Sequence, residues 1–184
     1  RCFMKETFRC FVALDISEKC KKELKAVQEE LKKQDLFIGK CTEPENIHLT
    51  LKFLGEIEKE KVQNIAEKLR EVKCEPFKGS LTKLGVFSEQ FIRIIWTKIE
   101  GKEVYELQKQ IDRVLRESFP KEQRFMGHIT IARVKQVKNK EKLLKVLKDI
   151  NINQQWNVDR FILKKSVLSA AGPTYQDLET YRLE

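Results

Sequence analysis

The chain has 184 residues, enough for one ordinary domain, with 41% apolar and 35% charged residues. Lys and Arg outnumber Asp and Glu by 37 to 28, a formal net charge of +9, which points to a polyanionic partner, nucleic acid first, with a Lys-rich solvated surface as the plain alternative. Only 7 Gly and 4 Pro, no run near ~18 apolar residues, no basic-then-apolar leader, five cysteines without a CxxC pair and two histidines disfavour fibrous, membrane-spanning, secreted disulfide-framework and zinc proteins, leaving a cytoplasmic protein with reduced thiols.

The triplet Arg1-Cys2-Phe3 recurs as Arg9-Cys10-Phe11, and Met4 reads as the natural start, with residues 1–3 a cloning remnant. Phe8 to Leu14 is β-branched and aromatic and predicts a strand. Ser17 then offers an N-cap, and Cys20, Leu24, Val27 and Leu31 follow at helical spacing. Ile47 to Leu54 alternates as a strand and is closed by Gly55. A second helix runs from about Glu58 to Val72, and Phe91 to Ile99 is a further strand. Val104, Leu107, Ile111, Val114 and Leu115 define a third helix. The strand His128 to Val134, a fourth helix from Lys140 to Ile150 and a strand from Phe161 to Leu168 complete the set, with one more strand from Tyr175. Each half therefore reads helix, HxTx strand, helix, strand. The half-polar alternation of Ile47 to Leu54 fits an antiparallel strand with one open face, not a strand buried in a parallel sheet. The expected architecture is α+β: two similar lobes, mainly antiparallel sheets lining a central cleft, helices outside.

The two histidines share one frame: Ile47-His48-Leu49-Thr50-Leu51 and Gly127-His128-Ile129-Thr130-Ile131. One such His or Thr on a strand is ordinary packing. Thr occupies only 8 of 184 positions, so its appearance at +2 from both histidines is hard to assign to chance. Residues i and i+2 of a strand project to the same face, ~6–7 Å apart. His48 and Thr50 thus point together, as do His128 and Thr130, while the apolar residues between them anchor the core. Two imidazoles around one phosphorus suit phosphoester chemistry: one accepts a proton from the nucleophile, the other donates to the leaving oxygen, and both hydroxyls bond the phosphate. That chemistry calls for neither metal nor cofactor.

The tetrapeptides His48-Leu-Thr-Leu51 and His128-Ile-Thr-Ile131 resemble those of the two-histidine (2H) phosphoesterase superfamily. Phe11-Val-Ala-Leu-Asp15, residues 46–56, 91–96 and 128–134 are similar to its branch of RNA 2′,3′-cyclic phosphodiesterases and 2′-5′ RNA ligases. The resemblance spans about Glu6 to Leu183. It implies a single bilobal, pseudo-twofold domain over residues 4–184, with one HxTx strand per lobe. It implies hydrolysis of an RNA-terminal 2′,3′-cyclic phosphate to a 2′-phosphomonoester, with His48 as proton donor to the 3′ oxygen and His128 as proton acceptor from water. Thr50 and Thr130 would hold the phosphate. It also implies joining of cyclic-phosphate ends to 5′-hydroxyls through a 2′-5′ bond.

Three further residues are candidates for substrate binding. Lys52 shares parity with His48 and Thr50 and would steer phosphate from the groove, or else point to solvent from a strand end. Arg133 matches the family position HxTxxR, yet strict alternation places it opposite His128, so it needs a bulge or a strand end to enter the cleft. Phe11 is either a base-stacking ring or core. Trp96 and Trp156 read as core, and Arg93 lines the cleft or caps an edge. A non-catalytic nucleotide or RNA binder, and a phosphodiesterase for another 2′-5′ or cyclic phosphate substrate, are the alternatives. RNA ends bearing cyclic phosphate are the expected partner, no membrane is involved, and monomer is the default state.

Overall fold

In the computed structural model, which describes residues 5–184, these patterns resolve into nine strands and four helices. The residues read as a cloning remnant, and Met4, lie outside the described range. Strand β1 (Thr7–Asp15) buries its central run from Cys10 to Leu14. The Ser17 hydroxyl accepts from the Cys20 backbone N–H at 3.2 Å and opens α1 (Glu18–Gln34), satisfying one orphan donor of the first turn. The α1 stripe of Cys20, Leu24, Val27 and Leu31 is buried, as its spacing predicts. Then follow β2 (Phe37–Cys41), β3 (His48–Glu58), α2 (Lys59–Leu69), β4 (Phe77–Val86), β5 (Ile94–Glu100), α3 (Lys102–Val114), β6 (His128–Val137), α4 (Lys140–Asp149), β7 (Asn151–Val158), β8 (Arg160–Ser169) and β9 (Gly172–Arg182).

The strands form two antiparallel sheets, one ordered β3-β1-β8-β9 and the other β2-β6-β5-β4-β7. Apart from the added edge strand β2, the orders correspond, with β3 matching β6 and β1 matching β5. Each sheet thus holds one HxTx strand beside the strand that precedes it by one helix. The sheets do not divide at the middle of the sequence. Strand β4, from the first half, sits in the second sheet, and β8 and β9 return to the first. The helices cross over too. α1 leaves β1 of the first sheet but packs on β6 and β7, whereas α3 leaves β5 of the second and packs on β3. Each HxTx strand is therefore backed by a helix that starts from the other sheet. α2 also lies on β3, and α4 lies on β4.

Three strands lack the apolar alternation that would announce them. β2 is a short edge strand with three of its five residues exposed. β7 reads Asn-Ile-Asn-Gln-Gln-Trp-Asn-Val, with Ile152, Trp156 and Val158 buried between polar neighbours. β4 contains Gly79 and Gly85, where a Cβ would run into the indoles of Trp156 and Trp96 respectively; the glycines seat the rings. The strand expected from Phe91 begins at Ile94, and Arg93 stands just before it, at the end of the middle strand of the sheet. Its guanidinium donates to the Lys135 carbonyl at 3.0 Å, and its own carbonyl accepts from the Val134 N–H at 2.8 Å. Arg93 therefore caps a strand end. Both tryptophans are buried, but they differ in place. Trp156 belongs to the core, whereas Trp96 pairs across the strands with Thr130 and so shares its cleft face.

Candidate active site

Each HxTx strand carries one extra residue at the same offset from its histidine. Along β1 and β3, Ala13 pairs with Thr50 and Val12 with Lys52, so Leu51 is inserted. Along β5 and β6, Trp96 pairs with Thr130 and Ile95 with Ala132, so Ile131 is inserted. A β-bulge sets two consecutive side chains on one face and inverts the parity beyond it. In β6 it turns Ala132 inward and delivers Arg133 to the cleft face, the bulge that Arg133 needed. In β3 it has the opposite consequence for Lys52. That side chain is 5% exposed on the core face, bonded to Asp112 at 2.5 Å and to the Pro120 carbonyl at 2.8 Å. Lys52 is therefore neither a groove cation nor a solvent-facing one. Phe53, unremarked in the sequence, takes the cleft position beside Thr50 and is 55% exposed. It stands five residues after His48, as Arg133 stands five after His128, and that shared offset is the signal by which it could have been found.

The imidazoles are held in the same way. His48 Nδ1 lies 2.7 Å from the Asn46 carbonyl and His128 Nδ1 lies 2.9 Å from the Met126 carbonyl. A carbonyl only accepts, so each Nδ1 carries a proton and each Nε2 is the nitrogen free for chemistry. His48 Nε2 accepts from the Thr50 hydroxyl at 2.9 Å, the same-face pairing that i and i+2 predict. The surroundings of the rings differ. His48 is flanked by Phe11, with ring centroids 5.0 Å apart, and by Tyr175, edge-on at 5.1 Å. The ring against His128 is Phe87, edge-on at 4.9 Å and more than half exposed. Burial, foremost, draws the His48 pKa below the ordinary imidazole value; the Asn46 carbonyl opposes this, Lys164 adds to it, Asp15 opposes it, and the nearby His128 adds to it.

Both pairs open on one cavity of about 470 Å³. His48, Thr50, Phe53, His128, Thr130 and Arg133 all line it, so the structure brings the two half-sites together. Arg9 and Lys40 add positive charge, and Arg9 lies 5.1 Å above the Phe53 ring. Phe11 is only 4% exposed and packs against both His48 and Tyr175, so it is a wall beside the imidazole and not an open stacking face. Thr130 is steadied through its carbonyl, which accepts from the Thr42 hydroxyl at 2.9 Å. The bulge carbonyl of Ile131 accepts from the Thr42 N–H at 2.9 Å and the buried Gln28 amide at 2.8 Å. Arg9, Lys40, Thr42 and Tyr175 lie on strands or loops remote from the HxTx motifs, and only the register of the sheets brings them here. Among the described residues, no three His, Cys, Asp or Glu side chains gather as a metal site, and no helix is long and apolar enough to cross a membrane.

A family model described as LigT-like phosphoesterase matches residues 14–96 and 98–175. The chain is 34% identical over 183 residues to the RNA 2′,3′-cyclic phosphodiesterase of Methanothermobacter thermautotrophicus, covering 95% of this chain and 98% of that one. Its fold is similar to the crystal structure of TT0787 of Thermus thermophilus, with a TM-score of 0.81 at 27% identity over 95% of this chain and 97% of the other. Escherichia coli LigT in its apo form has a TM-score of 0.79 at 20% identity, over 97% and 98% of the two chains.

Proposed function

Because the chain belongs to the LigT-like phosphoesterase family, we propose that it is an RNA 2′,3′-cyclic phosphodiesterase that leaves a 2′-phosphomonoester. The observation that carries this reading is the pair of imidazole–hydroxyl sets, each aimed by an identical carbonyl contact, facing one cavity. With the phosphate between them, the Thr50 and Thr130 hydroxyls and the Arg133 guanidinium bind the non-bridging oxygens, where negative charge grows in the transition state. His128 Nε2 takes a proton from water as the water oxygen bonds to phosphorus. The bond from phosphorus to O3′ breaks, and the protonated Nε2 of His48 delivers a proton to O3′. The phosphate stays on O2′, and the step needs no metal ion.

The difference between the two rings supports this assignment of roles. His48 is enclosed by Phe11 and Tyr175, as suits a donor to an oxygen that stays with the bound ribose. His128 has its one aromatic neighbour exposed, as suits a base whose partner arrives from outside. The same geometry would serve a second nucleophile. A 5′-hydroxyl in place of water at His128 would join two RNA ends through a 2′-5′ bond, with O3′ again the leaving oxygen. The basic residues around the cavity and the net charge of +9 favour an RNA end over a free neutral ester.

Single variants test the proposal. His48→Ala and His128→Ala should each lower turnover of a 2′,3′-cyclic-phosphate RNA, assayed in EDTA, by about 10²–10⁴-fold while the RNA still binds. Full turnover in either variant contradicts the acid–base pair. Binding by the wild-type protein with no product at enzyme excess would make the chain a binding module instead.

A further inference from the structure

Lys52 is buried and bonded to two partners, and it does not line the cavity. Its Nζ bonds Asp112 of α3 at 2.5 Å and the Pro120 carbonyl at 2.8 Å. The second Asp112 oxygen accepts from the Gln108 amide and from the Glu122 backbone N–H, both at 3.0 Å. Both partners of the ion pair are 5% exposed. A buried pair of this kind is weak as a source of stability, since apolar residues of similar volume often serve as well. Its placement is more informative. On one side Lys52 follows the Leu51 bulge, two residues after Thr50. On the other side the network grips Pro120 and Glu122, in the segment from α3 to β6 that has neither helix nor strand between 120 and 127. That segment ends by fixing His128: the Met126 carbonyl accepts from His128 Nδ1–H at 2.9 Å, and the Gly127 carbonyl accepts from the Ile99 N–H at 2.9 Å.

We propose that the Lys52–Asp112 pair is a positioning device that couples the two half-sites, tying the strand of His48 and Thr50 to the segment that aims His128. It rests on the two-histidine reading above. Two anchored ends leave the segment little freedom, so the Met126 carbonyl stays where it must be to hold the ring. The second half-site has a neutral counterpart, Gln28 of α1, which bonds the carbonyls of Thr42 and Ile131 at 2.9 and 2.8 Å. In each case the support reaches an HxTx strand from the helix that crossed over from the other sheet. Gln28 likewise grips, through Thr42, the segment that leads to His48, so each crossed-over helix holds both an HxTx strand and the approach to its histidine.

The test separates positioning from stability. Lys52→Met alone leaves a buried carboxylate without its cation and will lower the melting temperature, so the informative variant is the double K52M/D112L, which removes both charges. It deprives the Gln108 amide and the Glu122 N–H of their acceptor, so it should melt below the wild type but above Lys52→Met, and it should retain KM within about threefold while kcat falls roughly 10²-fold through misplacement of the base. In its NMR spectrum the His128 ring signals should shift and broaden more than those of His48. Should the double variant fail to fold, Lys52→Gln, which keeps a donor for Asp112 but not the charge or the reach, carries the same expectations. Wild-type kcat with unchanged His128 ring signals overturns the proposal. Wild-type enzyme without turnover on cyclic phosphate fails the function instead, and the His128 ring signals in the variants still judge the coupling.

Discussion

His48 carries the sharpest electrostatic consequence. Burial among Phe11 and Tyr175 disfavours its charged form, so in the empty cavity it is neutral to lower pH than an ordinary imidazole. As the proton donor we propose, it must be charged. The negative charge of a bound phosphate favours imidazolium, so substrate supplies what burial removes. Proton uptake therefore accompanies binding of a phosphate to the folded site, and affinity for a nucleotide 2′-phosphate should rise as pH falls toward the His48 midpoint. An NMR titration checks this: the His48 midpoint should lie below about 6.5 in the free protein and move upward on addition of the nucleotide. A midpoint unmoved by the nucleotide contradicts the donor role. The same shift has a stability consequence. The unfolded chain binds a proton at this residue more readily than the folded one, so the contribution is present above the unfolded pKa and declines as pH falls through it toward the folded value.

At the scale of elements, the two bulges decide which residues meet substrate. Arg133 reaches the cleft because Ile131 and Ala132 both point inward. Arg133→Ala should raise KM by about 10- to 100-fold, the loss of a charge-assisted bond to phosphate. Moving the arginine one place, as Ala132→Arg in the Arg133→Ala background, should not restore binding and should lower the melting temperature, because position 132 is fully buried. Restored KM in that variant would mean regular alternation without a bulge. The sequence made the histidines and threonines legible because a period of two needs only four residues to be seen. It made the helices legible through stripes such as Cys20, Leu24, Val27 and Leu31. A bulge is one residue extra relative to the neighbouring strand, so nothing within His48–Phe53 alone declares it. That is why strict alternation sent Lys52 to the groove and passed over Phe53. The polar strand β7 and the glycine-bearing β4 escaped for a related reason: their fit is to Trp156 and Trp96, which lie far away in sequence.

At the scale of the molecule, the fold keeps its two reactive groups on separate sheets and binds those sheets together by exchange. β4 crosses one way, β8 and β9 the other, and α1 and α3 each back the strand they did not come from. The cavity between the sheets is thus a joint whose two walls are fixed by each other's helices, and the half-sites face each other without a connecting strand. Such a joint fixes direction as well as distance: in the proposed mechanism, proton acceptance on one wall and donation on the other would select one leaving oxygen. The regiochemistry of the product is accordingly the most direct reading of the geometry. A 2′,3′-cyclic-phosphate oligonucleotide, incubated with the protein in EDTA and resolved into 2′- and 3′-phosphate ends, should give the 2′-phosphate alone. A 3′-phosphate product or a mixture of both would contradict O3′ as the leaving oxygen opposite His128, and loss of turnover in EDTA would contradict an acid–base pair that works without metal.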